Sequence, residues 1–253
     1  MKVLVLKEFR SNWRSFRYPA FLLVVLFFAL LDPPMTRYMD EIMGYFAEGL
    51  EMVLPEPTAE DAFISYLSDV SQIGIMVLIF VVMGSVAREK SNGVTGWMLS
   101  KPIGRWHYLA AKLIVHYAVI IVGLTVCSAF AYLYTMSLLG AIPLAAAVWG
   151  TLALTAYIIL MATVTFTFST ILNSPLQAGG FTVLIFFLSG ILNIFISNTS
   201  AANYYPNTLL GQLGPLVNGT SGPADIFGAL AVTLGLCILL AVITGVRFSR
   251  MEL

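Results

Sequence analysis

Apolar positions along the chain gather into six long runs, at about 18–31, 70–87, 113–136, 146–170, 178–196 and 224–246, with polar stretches between them. A hydrocarbon core about 30 Å thick needs roughly 20 apolar residues per helical crossing. The pattern therefore predicts an all-α polytopic membrane protein with six transmembrane helices. Residues 1–17 carry a different period: Val5, Leu6, Phe9, Trp13 and Phe16 fall on one side of a helix, and Lys2, Lys7, Arg10, Arg14 and Arg17 make the segment basic. That combination predicts an amphipathic helix lying at the membrane interface.

Two polar stretches are long enough to fold outside the bilayer. Residues 32–69 open on Asp32-Pro33-Pro34 and hold nine acids against Arg37 alone. Within them Met39, Ile42, Met43, Phe46, Leu50, Val53 and Leu54 recur at helical spacing, and Thr58 with Asp61 after Pro57 predicts a helix start. Short extracytoplasmic helices follow from that pattern. Residues 198–223, rich in Asn, Gly, Pro, Ser and Thr with Leu209, Leu210 and Leu216 interspersed, read as a partly re-entrant outer segment.

Charge orients the layout. Twelve of the thirteen Lys and Arg residues fall on one side of it, and ten of the thirteen acids fall on the other. Lys and Arg near span ends mark the cytoplasmic side, so the expectation is a multi-pass protein of the cell membrane with both termini cytoplasmic. Composition agrees, with 59% hydrophobic and 10% charged residues against roughly 25% charged in soluble domains. No independent soluble domain fits, and residues 1–253 read as one transmembrane domain. Cys127 and Cys237 lie within apolar runs and suggest neither a disulfide nor a metal site.

Several activities lack their chemistry. From Lys112 to Asp225 no Asp, Glu, Lys or Arg intervenes, which speaks against a proton- or ion-coupled carrier. His107 and His116 are the only histidines, both near the basic side, and His116 reads as an interfacial histidine. Ser221, in Gly219-Thr220-Ser221-Gly222, lies on the opposite side from both and has no base to activate it. There is no Gly-rich phosphate loop with its Lys. No catalytic residue and no bound cofactor or metal is expected in this chain, and no nucleic acid among its partners.

One stretch has a positive character of its own: AREKSNGVTGWMLSKPIGRWHYLAAK, residues 87–112. Val94, Trp97 and Met98 have the spacing of one apolar helix face, Gly96 weakens that helix by about 1 kcal/mol relative to Ala, and Pro102 ends it. Large apolar side chains in a loop on the basic side point to a docking surface, with Trp97 as its anchor. The alternative is a basic topogenic connector.

In this stretch the chain resembles the ABC-2 type permease family, whose second and third spans are joined by a coupling helix between a Glu-Lys-x-x-Gly pattern and Leu-Ser-x-Pro. Glu89, Lys90, Gly93, Leu99, Ser100, Lys101, Pro102, Arg105 and Lys112 supply it here, with Val94 where the family commonly has Thr. The resemblance extends to the six-span plan and the basic N-terminal helix. It implies a complex of two permease chains with two separate ABC ATPase subunits, which would bind ATP and Mg. The loop 88–108 would then carry the ATPase-coupling interface, on Arg88, Glu89, Lys90, Gly93, Val94, Trp97, Met98, Leu99, Ser100, Lys101, Pro102 and Arg105.

Hydroxyls crowd the fourth run and aromatics the fifth, so Thr155, Thr163, Thr167 and Phe187 are the expected substrate path. The same hydroxyls can instead bond to carbonyls one turn back. The uncharged interior suits a hydrophobic or amphiphilic cargo, a peptide, drug-like or lipid-like molecule, and the implied direction is export. A second reading is an ABC-linked assembly or signalling protein that transmits motion to an outer partner through residues 32–69.

Overall fold

The computed structural model describes residues 1–46, 56–100 and 104–251, and every regular element among them is helical. Six helical stretches are long and apolar enough to cross a membrane: Arg17–Arg37, Ala59–Ser91, Arg105–Leu139, Leu144–Ile171, Pro175–Ile196 and Pro223–Ser249.

The chain begins with α1 (Lys2–Arg14), whose side against the bundle carries the polar residues Glu8 and Asn12. A left-handed Phe16 (φ 62°) turns the chain sharply into α2 (Arg17–Arg37). Helix α2 continues through Asp32, Pro33 and Pro34, six residues past the apolar run, and Asp32 is buried at 4% exposure. The prolines sit close to the helix end, where their missing N–H groups remove two backbone bonds without interrupting the helix further along. Helix α3 spans Met39–Phe46; the expected helical positions Leu50, Val53 and Leu54 lie outside the described residues.

Helix α4 (Ala59–Asp69) starts on a capping box: Thr58 Oγ1 accepts from the Asp61 amide at 3.1 Å, and an Asp61 carboxylate oxygen accepts from the Thr58 amide at 3.3 Å. One π-helical turn, Val70–Gly74, joins it to α5 (Ile75–Val82). The second crossing is thus a composite that breaks again at 83–86 before two short helices, α6 (Ala87–Ser91) and α7 (Val94–Leu99).

Helix α8 (Arg105–Leu139) begins eight residues before its apolar run, and α9 (Leu144–Ile171) and α10 (Pro175–Ile196) follow. Residues 198–223 form a 3₁₀ turn (Ser200–Tyr204), α11 (Thr208–Gly211) and α12 (Leu213–Val217), with Leu209, Leu213, Leu216 and Val217 tucked into the core. Helix α13 (Pro223–Ser249) completes the bundle.

Helix α9 is the hub. Helices α5, α8, α10, α12 and α13 all pack on it, around Leu154, Tyr157, Ile158 and Phe166. By contrast, α10 fully buries only Ala178, Gly179 and Thr182, packs Val183 and Phe186 partly against the core, and leaves most of its apolar length uncovered by this chain. One end of the bundle gathers α1, α6, α7, the start of α8 and the last turns of α9 and α13, and with them most of the basic residues.

Candidate functional site

Three residues of the motif at the basic end reach three different helices. Glu89, on α6, meets Lys112 of α8 at 3.0 Å, accepts a short hydrogen bond from the Tyr108 hydroxyl, and has Lys7 of α1 at 3.9 Å. Lys112 in turn lies 2.9 Å from Glu8 of α1 and over the Tyr108 ring at 5.2 Å. Two carboxylates and two ammonium groups therefore balance in one cluster. The Lys112 side chain is 1% exposed, and a buried charge is tolerable only when paired and hydrogen-bonded in this way.

Lys90, one residue on, points the other way. Its Nζ donates to the carbonyl oxygens of Thr170 at 2.8 Å and Leu172 at 3.2 Å. These carbonyls end α9, where the backbone has no helical partners of its own and the dipole favours a cation. Arg105, at the start of α8, does the same for α13: Nη1 donates to Phe248, Ser249 and Met251 carbonyls at 3.1, 3.0 and 2.7 Å.

Between these anchors runs the short helix α7. Gly93 occupies the left-handed region (φ +70°), donates to the Lys90 carbonyl at 3.0 Å and caps α7. A side chain there would be strained, which gives the glycine of the motif a physical reason. The expected single apolar face divides: Met98 is buried, its sulfur accepting from Lys7 at 3.3 Å, whereas Val94 and Trp97 are 37% and 64% exposed. The turn at Gly93 and the contact with α1 decide that split. Arg88 and Ser100 are exposed, Leu99 closes α7, and Lys101 and Pro102 lie outside the described residues.

The break at 83–86 is itself held by side chains. Ser169 of α9 accepts from the amides of Val86 and Ala87, both at 3.1 Å. Ser85 bonds to His116 Nε2 at 2.7 Å, and His116 Nδ1 to the Tyr18 hydroxyl at 3.0 Å. His116 is 1% exposed, so it is a packed link between helices and not an interfacial residue; its two hydroxyl partners permit that burial.

Residues 52–246 match the profile of the ABC-2 family transporter proteins. The chain belongs to the ABC-2 family. This ABC-2 protein is also 29% identical over 263 aligned residues to the uncharacterised transmembrane protein YxlG of Bacillus subtilis strain 168, covering 100% of this chain and 98% of the relative. Family membership makes it a multi-pass permease component of an ABC transporter, a class that works with an ATP-binding subunit.

The four expected cargo-path residues of this ABC-2 protein have separate surroundings. Thr163 donates to the Ile159 carbonyl and pairs with the Tyr117 hydroxyl, both at 2.7 Å; Thr167 donates to the Thr163 carbonyl at 2.8 Å and accepts from Thr244 at 2.9 Å. Both are buried at helix contacts. Thr155 donates to the Thr151 carbonyl at 2.7 Å but stays half-buried beside a groove of about 650 Å³ between α8, α9 and α13. Phe187 is 57% exposed on α10.

Glu8, Lys112 and Tyr108 complete the cluster without having been singled out as interface residues. A signal for two of them was present: Glu8 is the only acid of the basic N-terminal segment, and Lys112 stands at the edge of an apolar run.

Proposed function

We propose that this chain is the permease half of a two-component exporter, driven by a separate ABC ATPase that docks on α7 at Val94 and Trp97. ATP and Mg²⁺ belong to that partner, and the basic end with both termini faces the cytoplasm. The carrying observation is that the loop between the second and third crossings is tied at Glu89, Lys90 and Arg105 to α1, the end of α9 and the end of α13. A load on α7 therefore reaches three helices at once.

The ATPase shifts the permease between states only through contacts that differ in the two. The hydrogen-bonded break at 83–86 is where α6 and α7 can tilt relative to α5 while Ser169 holds the Val86 and Ala87 amides and His116 the Ser85 hydroxyl. Export of a hydrophobic or amphiphilic cargo suits the apolar grooves between the spans, including the 650 Å³ groove beside Thr155. The uncovered length of α10 suits a second permease chain, giving two permeases with two ATPases.

Copurification tests the reading. Coexpressed with candidate ABC ATPases, the unchanged protein is expected to bring one down, and Trp97→Ala to bring down much less while inserting normally. ATP-dependent accumulation of cargo in vesicles without an outer partner separates export from the assembly or signalling role. Stable purification free of any ATPase in every combination would defeat the proposal.

A further inference from the structure

A second groove opens along α1, away from the loop. It encloses about 750 Å³ between α1, α2 and α8, within the size range of small-molecule sites. Phe9 and Trp13 form one wall, their rings stacked at 5.5 Å, and Leu23, Ala118, Val122 and Val126 form much of the rest. No charged or amide side chain lines it. An anionic or polar molecule has nothing to bind inside, and a hydrocarbon chain has everything.

The rim is different. At about 100° per residue, Arg10 and Arg14 fall one turn apart on the side of α1 away from Glu8 and Asn12, with Arg10 flanking the stripe of Leu6, Phe9 and Trp13 that lines the groove. Both guanidinium groups are on exposed residues. Among the described residues the ion pairs of α1 involve only Lys7 and Glu8, so neither arginine has an acid of this chain as its partner. Two cations flanking an apolar slot match one chemistry: a phosphate-bearing headgroup with an acyl chain behind it. Guanidinium recognises phosphate through paired hydrogen bonds.

We infer that this groove is a binding site for an anionic glycerophospholipid of the leaflet on the terminal side, its acyl chain along Phe9, Trp13 and Val122 and its phosphate at Arg10 and Arg14. The site acts on the loop through α1. Lys7 and Glu8, which hold Glu89, Lys112 and Met98, are on the same helix as the groove wall. Seating the lipid fixes α1 against α2 and α8 and so presets the cluster. Neither the lipid site nor its test depends on the ATPase assignment.

Trp13 supplies the readout. Purified protein carrying Trp97→Phe, Trp106→Phe and Trp149→Phe leaves Trp13 as sole emitter; should that variant fail to insert, the difference between unchanged protein and Trp13→Phe serves. The protein is placed in phosphatidylcholine vesicles with increasing fractions of phosphatidylglycerol or phosphatidylcholine brominated on the acyl chain. Quenching by the anionic lipid is expected to saturate, with its midpoint at a mole fraction about tenfold below that for the zwitterionic lipid. Arg10→Gln with Arg14→Gln brings the two curves together, and Ala118→Phe, which fills the groove, lowers the maximum with both lipids. Coincident curves for the unchanged protein would overturn the inference as bulk lipid contact. Absence of quenching by either lipid would overturn it in favour of a groove closed by a second copy.

Discussion

Lys112 Nζ lies 2.9 Å from Glu8 Oε1, joining the third crossing to the N-terminal helix across 104 positions of sequence, with the two side chains 1% and 8% exposed. Removing one partner of such a buried set leaves uncompensated charge and costs about 3–5 kcal/mol, whereas replacing the whole set can be neutral. Lys112→Ala is expected to lower the unfolding temperature in detergent by several degrees, and Glu8→Gln/Glu89→Gln/Lys112→Met to recover most of the loss. A triple variant as unstable as Lys112→Ala would show that the cluster is not acting as a balanced charge set.

Lys90 caps the end of α9 through the Thr170 and Leu172 carbonyls. Its truncation to Ala removes a charge-assisted cap worth about 1–2 kcal/mol. Lys90→Ala is therefore expected to speed amide hydrogen exchange around residues 171–176, with Lys90→Arg showing a smaller change. Unchanged exchange in Lys90→Ala would count against the cap.

Ser169→Ala strips the acceptor from the Val86 and Ala87 amides. Two buried donors without partners cost about 1–3 kcal/mol each. Hydrogen exchange should rise at these two amides specifically, and stability should fall, while the ends of α9 and α13 keep their exchange rates. A global rise instead would place the effect on α9 packing.

Trp97 is 64% exposed. Trp97→Ala is expected to shift the unfolding temperature less than Lys112→Ala does, since exposed substitutions usually fall within about 0.5 kcal/mol. Its effect should fall on ATPase binding and cargo-stimulated ATP hydrolysis. Equal ATPase recovery with the unchanged protein and Trp97→Ala would remove Trp97 from the interface.

Much of the molecule is legible in its sequence. Six apolar runs predict helices because the backbone in hydrocarbon must bond to itself within each segment, and the Thr58–Asp61 cap is a local device that needs only three residues of spacing. The glycine of the motif is legible too, since a left-handed turn is a property of one position. Other features misled. Asp32-Pro33-Pro34 looks like a stop, yet α2 runs on to Arg37, with Asp32 and Pro33 buried against neighbouring helices and the turn beyond them largely exposed. Met98 shares the spacing of Val94 and Trp97 but turns inward to meet Lys7.

Sequence by itself determined the helical membrane-spanning character and the likeness of residues 87–112 to a coupling segment, because hydropathy, charge and turn chemistry are carried by neighbouring residues. Tertiary structure alone decided what that segment holds. Lys90 finds its carbonyl partners 80 and 82 positions away and Arg105 finds its own 143 to 146 positions away. No local period encodes such pairs: a carbonyl at a helix end is the same group in every residue, and only packing selects which cation reaches it.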